Sequence, residues 1–412
     1  MTQPASQATS NPFFSDEYRH DRAAVIARMR RKEPVHYIEP LDAWIVLRHD
    51  LVHAMYTHPD ATPDYTVYEH ARPAPDNSES GFRASANLFS SPPAQHARMR
   101  RLVSAAFTPR SVARMEDQVR EVIAHFGSAL SDRTGTVDLY SEFFEPIPNT
   151  VISRIIGIPP KGNDERRFRE LGRSTLSLIN PFLGDDEYEA ALAAVTELHQ
   201  WILDLANARR RDPRDDLLSD FAGTNEQGDQ LTLDEIASVL TSMIAAGTDT
   251  TVSAGVFGLY SLFQHPEVLE ELRADRSLLP NAVLELLRYD FGPSDWVPRF
   301  ALRDFELEGH SIRKGQLLML SFMGADRDPS VFPDPDRLDV RRDTSRLAIF
   351  GHGSHYCLGA NLARQELCCM LDAVLDFLPT GAKLIEDEIQ WSETLSPLFR
   401  SLGSFPVAFG DA

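Results

Sequence analysis

The sequence predicts a mainly α protein, a helix-rich single domain with small β-sheets. Three observations point there. Apolar residues recur at helical spacing through most of the chain up to about residue 290. Strand-like runs are short and flank that stretch, near residues 35–47 and again after Arg288. No internal repeat and no obvious linker divides residues 12–412, so the helical segments and the strands around them read as one interlocked domain. Length alone would permit more, since about 100–200 residues per domain is the usual prior.

Taken in order, residues 1–11 form a polar, disordered lead-in. Val35–Ile38 and Ala43–Leu47 are close enough to pair as a hairpin. Residues 68–91 are rich in Pro, Ser, Asn and Gly and read as a long loop, a size that is usually functional or disordered. After Pro109, Val112, Met115, Val119, Val122, Ile123 and Phe126 fall on one helical face. At Thr232 the run Thr-Leu-Asp-Glu is a capping box, and the helix it opens continues until His265-Pro266 stops it. Short strands with turns at Gly309 and Gly315 follow Arg288. A Pro- and Asp-rich coil spans Asp326–Arg346, and a last helix covers Leu358–Leu378.

Composition excludes several classes. The chain is 42% apolar and 25% charged, a globular mixture with material for a large core. No apolar stretch reaches the roughly 18 residues of a membrane span, and the N-terminus lacks a basic-then-apolar pattern. The expectation is a cytoplasmic protein with no membrane anchor, acting as a monomer. The net charge of −20 argues against nucleic acid as a partner. Cys357, Cys368 and Cys369 are the only cysteines; an odd set with two adjacent members suits a reducing compartment rather than a disulfide framework.

The strongest chemical signal is Phe350-Gly-His-Gly-Ser-His-Tyr-Cys357-Leu-Gly359. Its glycines let the backbone approach a bound group, and a helix beginning after Cys357 favours a thiolate over a thiol. A thiolate so placed suits haem iron, because it pushes electron density onto the metal. A structural cysteine would not need such glycines. Zinc on His352, His355 and Cys357 would lack a second ligand cluster. Cys368 and Cys369, inside an apolar helical run, read as core.

The loop resembles the haem-binding signature of the cytochrome P-450 family, Phe-x-x-Gly-x-Arg-x-Cys-x-Gly. It matches at Phe350, Gly353, Cys357 and Gly359, with His355 in place of the usual Arg. The resemblance runs from about residue 12 to residue 408. It implies the cytochrome P-450 fold, with haem sandwiched between a long distal helix and the cysteine-loop helix. The cofactor would be haem b (iron protoporphyrin IX) with Cys357 as axial thiolate, and Phe350, Gly351 and Gly359 beside it.

The family's Glu-x-x-Arg element resembles Glu285-Leu-Leu-Arg288, and Pro335-Asp-Arg337 resembles its Pro-Glu-Arg element. Glu285, Arg288 and Arg337 would form a buried charge network beneath the haem. Glu170-Leu-Gly-Arg173 and Glu270-Glu-Leu-Arg273 carry the same spacing and read as helix-surface pairs. His96 and Arg100 lie four apart on a helix and can meet one propionate; Arg299 and His355 match the family's other propionate contacts. Arg98 and Arg101 read as a solvated basic face.

Within the long helix stands Ala246-Gly247-Thr248-Asp249-Thr250-Thr251. A glycine in a helix interior costs about 1 kcal/mol against alanine, and threonines compete for backbone hydrogen bonds, so a local opening is expected. The segment resembles the family's acid–alcohol motif, in which Asp249 and Thr250 deliver protons while Ala246 and Gly247 leave room for a diatomic ligand. Thr248 and Thr251 read as residues bonded back to their own helix.

The family position of the pocket suggests Leu240, Met243 and Ile244, then Asp295, Trp296 and Val297, then Leu398 and Phe399. These are mainly apolar and imply a terpenoid, steroid, polyketide or aromatic substrate. Asp295 reads as outward or locally paired. The expected reaction is hydroxylation or epoxidation with O2. Electrons would come from a separate ferredoxin and its NAD(P)H-dependent reductase, with Arg98, Arg101, Arg110 and Arg114 as a candidate docking patch. The alternatives are a haem-thiolate peroxygenase or isomerase, or a non-catalytic haem-based ligand sensor.

Overall fold

The structure is a computed structural model and describes residues 12–15, 17, 18, 21–71, 88, 89, 91–158, 163–178, 183–223, 229–292, 294–392 and 401–410. The lead-in 1–11, most of the 68–91 loop, and Leu398 and Phe399 lie outside the described residues. Helices dominate, and the sheets are small. No described helix is long and apolar enough to cross a membrane. The contacts divide the chain into two compact units, 1–71 with 257–357 and 391–401, and 72–256 with 358–390 and 402–412.

The first unit is built on a five-stranded sheet. Val35–Ile38 pairs antiparallel with Ala43–Val46, the hairpin expected from the sequence. Ala43–Val46 runs parallel to Leu317–Ser321, which pairs on its other side with Trp296–Ala301, and Ala61–Thr62 closes the edge. The central strand Leu317–Ser321 is buried along its whole length, which explains the apolar run Leu317–Leu320. Val46, Val52, Met55, Tyr56, Leu318, Leu320 and Ala348 share one core. The chain immediately before the cysteine loop is thereby fixed to the sheet.

The second unit is helical. Asn163–Ser177, Asp185–Arg211 and Leu233–Gly247 pack together, and Glu116–Ser128 packs on Ala360–Phe377. The helix expected after Pro109 is two pieces, Pro109–Ala113 and Glu116–Ser128. The capping box at Thr232 is present: its hydroxyl accepts from the Glu235 N–H at 3.1 Å, and Glu235 accepts from the Thr232 N–H at 2.9 Å. The long helix it opens is not continuous. It stops at Gly247, leaves Thr248 out of the helix, and resumes over Asp249–Gln264.

Candidate active site

Cys357 ends a loop whose backbone is held at every turn. Gly351 (φ +73°) and Gly353 (φ +70°) take left-handed conformations that a side chain would strain. They fold the chain back so that the Cys357 N–H donates to the Phe350 carbonyl at 2.7 Å, while Tyr356 N–H reaches Gly353 at 3.1 Å. The loop's entry is anchored from below. The Asp326 carboxylate accepts the Ala348 and Ile349 N–H groups at 2.6 and 3.1 Å, and the Tyr56 hydroxyl donates to the Ala348 carbonyl at 2.9 Å. Burial pushes the Asp326 carboxyl up to about 7, against the pull of both amides and of Arg288. His352 stacks on His53 with ring centroids 3.9 Å apart. Neither Asp326, Tyr56 nor His53 was singled out by sequence. The only cue was the charge-dense run Asp326-Arg-Asp, at the end of the short helix Phe322–Asp326 that follows the buried strand.

Of the three cysteines, Cys357 alone is exposed. The helix after it begins at Ala360 with Gly359 as its N-cap, two residues later than expected. Burial pushes the thiols of Cys368 and Cys369 up, the latter to about 11, so neither is disposed to ionise.

Beneath the loop, Glu285 and Arg288 are completely buried and joined by two bonds of 2.7 and 2.9 Å. Their third partner corrects the expectation. Arg342, not Arg337, reaches Glu285, with Nε 3.1 Å from Oε1. The Arg337 side chain is 70% exposed and faces Asp339; only its carbonyl joins, accepting from Arg288 and Arg342. Arg288 also donates to the Asp326 and Pro335 carbonyls, tying the network to the loop's anchor.

A haem carries two carboxylates, and Arg299 fits one. It is 5% exposed, its one hydrogen bond among the described residues goes to the neighbouring Pro298 carbonyl at 2.8 Å, and its guanidinium lies 5.5 Å from the centre of the Tyr56 ring. Among the described residues no carboxylate lies within 4 Å of it. A buried cation without a counter-anion is costly, and burial lowers its pKa accordingly. In the other unit, His96 is buried and Arg100 half-buried on the helix Pro93–Ser104. Burial and Arg100 lower the His96 pKa. His355 lies half-buried in the short turn Gly353–His355. Gly247 and Gly359 have open space where a Cβ would stand, so both leave room beside the backbone. An exposed cysteine on a constrained loop, an orphaned buried cation and these gaps are compatible with haem.

The helix break at Thr248 is lined by hydroxyls. Thr248 and Thr251 donate to the Ile244 and Gly247 carbonyls, each at 2.9 Å, as expected. Thr250 does the same toward the Ala246 carbonyl. Its proton is therefore engaged, and its oxygen remains as an acceptor. Asp249 faces Arg173, Nε to Oδ1 3.8 Å. Arg173 is thus no ordinary surface pair, as its Glu-x-x-Arg spacing suggested; Glu170 instead pairs with Arg167 at 3.3 Å. Burial raises the Asp249 pKa, Arg173 lowers it, and Glu145 raises it again, with a net upward shift.

The remaining expectations divide. Leu240 is fully buried, Met243 and Val297 half-buried, and Trp296 buried. Ile244 lies against Gly172, where a Cβ would come within 2.9 Å. Asp295 is completely buried rather than outward. Arg98 and Arg101 are not a solvated basic face. Both pair with Asp229, at 2.9 and 3.0 Å, and Arg98 also meets Glu235 at 2.6 Å. Arg110 and Arg114 are exposed.

The Cytochrome P-450 family model matches residues 184–377. The cytochrome P-450 monooxygenase PikC of Streptomyces venezuelae is 32% identical over 97% of this chain and 92% of its own. The 6-deoxyerythronolide B hydroxylase of Saccharopolyspora erythraea is 34% identical over 95% and 97%. Among solved structures, cytochrome P-450 PksS of the Bacillus subtilis 168 bacillaene polyketide synthase superposes with a TM-score of 0.86 at 29% identity, covering 98% of this chain and all of that one.

Proposed function

This chain belongs to the cytochrome P-450 family, whose members bind haem through a cysteine thiolate and act as monooxygenases, and from that premise we propose that Cys357 is its thiolate and that it hydroxylates or epoxidises a hydrophobic small molecule. The supporting observation is the loop of Cys357, closed by the Cys357 N–H to Phe350 carbonyl bond over two left-handed glycines. Haem supplies the oxidising chemistry: with O2, two electrons and two protons, one oxygen atom enters the substrate and the other leaves as water.

The chain's own residues bind, orient and move protons. Arg299, His96, Arg100 and His355 would hold the propionates. Asp326, Tyr56 and the Glu285–Arg288–Arg342 network keep the thiolate loop in one geometry. Thr250, its hydroxyl donating to the Ala246 carbonyl, would accept a hydrogen bond at its oxygen. Asp249 would take protons from solvent and pass them inward; its raised pKa places it closer to working pH than an ordinary carboxyl.

Among terpenoid, steroid, polyketide and aromatic substrates, a polyketide is favoured by the likeness to PksS. Leu240, Met243, Trp296 and Val297 would supply the apolar lining. Electrons would come from a ferredoxin and its NAD(P)H-dependent reductase. With Arg98 and Arg101 neutralised, Arg110 and Arg114 would make the docking patch, joined by the exposed Arg364 of the same unit.

Reduced protein is scanned with and without carbon monoxide. A strongly red-shifted Soret band is expected, and a band typical of histidine- or thiol-ligated haem would refute the assignment of Cys357. Thr250→Ala should then uncouple NAD(P)H oxidation from product formation, with positioned proton transfer typically worth about 10²–10⁴-fold. Wild-type coupling in that variant would remove Thr250 from proton delivery.

A further inference from the structure

Arg173 is shared between two carboxylates. Its Nε stands 3.8 Å from Asp249 Oδ1, whereas Nη2 donates to Glu145 Oε1 at 3.2 Å and to the Tyr140 hydroxyl at 3.1 Å. The shorter contacts belong to Glu145 and Tyr140. Local backbone brings those two together. Residues Tyr140–Phe144 are wound as a π-turn, and the Glu145 N–H reaches back five residues to the Tyr140 carbonyl at 2.8 Å. Such turns are rare and often occur at functional sites. This one stacks residues 140 and 145 and delivers both side chains to one guanidinium, just before Pro146 opens the helix Pro146–Ile156.

We propose that Glu145 is a positioning residue for proton delivery: it holds Arg173 back from closing onto Asp249, so that the Asp249 carboxyl can gain and lose a proton in each turnover. The inference rests on the reading of Asp249 as the proton-handling group. A guanidinium bound in two-point contact favours an ionised carboxylate and fixes its orientation. A second anion competing for that guanidinium relieves both effects. Among the described residues, the ionisable groups facing Asp249 are Arg173 from the helix Asn163–Ser177, and Glu145 and Tyr140 from the segment before Pro146. Arg173 is 51% exposed and Asp249 25%, so water reaches the pair from the guanidinium side.

The holoenzyme with its redox partners is assayed across pH, in H2O and D2O, as wild type, Glu145→Gln, Arg173→Gln, the double variant and Asp249→Asn. Glu145→Gln should let Arg173 close on Asp249 and lower its pKa. Turnover near neutral pH then falls roughly three- to tenfold, each pKa unit being worth about a factor of ten. It recovers as pH is lowered, and the solvent isotope effect rises, while the substrate-induced spin shift stays unchanged. In the Arg173→Gln background, Glu145→Gln should cost nothing further. A Glu145→Gln enzyme matching wild type in rate and isotope effect, beside a slow Asp249→Asn, would overturn the inference and leave the Asp249 reading intact. An equal loss with and without Arg173 would also overturn it, exposing a purely structural role. A wild-type Asp249→Asn would overturn the underlying reading and the inference with it.

Discussion

Replacing Glu366 by glutamine exchanges a carboxyl for a neutral group of the same shape at a site where charge is costly. Glu366 lies on the helix Ala360–Phe377, is 3% exposed, and its Oε1 has no hydrogen-bond partner among the described residues. Burial alone pushes its carboxyl from 4.5 up to about 8. Between those values the native state keeps a proton that the unfolded state has released. Its contribution to stability is therefore complete below about 4.5, declines as pH rises, and is lost above about 8. At about 1.36 kcal/mol per unit, the displacement sets an upper limit of about 5 kcal/mol. Glutamine cannot ionise, so Glu366→Gln should match wild type within about 1 kcal/mol at pH 5 and exceed it by roughly 2–5 kcal/mol at pH 9. Guanidinium unfolding followed by tryptophan fluorescence at pH 5, 7 and 9 reads the difference. Other buried carboxyls, Asp326 and Asp249 among them, are common to both proteins and cancel. A stability difference that stays constant over this range would refute the claim that Glu366 titrates within it.

Two further substitutions test the loop's support. Arg342→Ala removes one of the two cations on Glu285 while Arg288 stays paired with it, and should cost about 1–3 kcal/mol, whereas Arg337→Ala at its exposed pair should cost less than about 1 kcal/mol; equal losses in denaturant midpoint would contradict the geometry. Asp326→Asn replaces one acceptor oxygen by an amide donor facing the Ala348 and Ile349 N–H groups, so the cysteine loop should loosen. The expected sign is a carbon monoxide spectrum in which part of the red-shifted band is lost on mild warming, at a temperature where wild type keeps it.

The parts of this molecule legible in sequence are those whose chemistry is local. The glycine-spaced cysteine loop, the capping box at Thr232 and the hairpin at 35–46 each depend on neighbours within a few residues. The interrupted helix was visible as a cluster of poor helix formers at Gly247–Thr251. Long-range pairing was not legible. Arg337 sits in the expected motif, but the chain turns at Asp334 (φ +48°) and sends that side chain to solvent, and Arg342 returns to Glu285 instead. The same Glu-x-x-Arg spacing that reads as a surface pair at Glu170 and Arg173 gave no hint that Arg173 reaches Glu145 and Asp249, because those partners come from other elements. Arg98 and Arg101 look basic only until Asp229 and Glu235, more than a hundred residues on, are brought beside them.

The threonines at the helix break carry a thermodynamic consequence. A helix end normally leaves its last four carbonyls without intrahelical donors. Here three of the four, on Ile244, Ala246 and Gly247, accept side-chain hydroxyls from Thr248, Thr250 and Thr251. The gap is therefore a standing feature with most of its end carbonyls already engaged, and a molecule entering it should not have to melt a turn first. Reorganisation should then contribute little to its arrival or departure, and access and the binding contacts themselves should set these two rates.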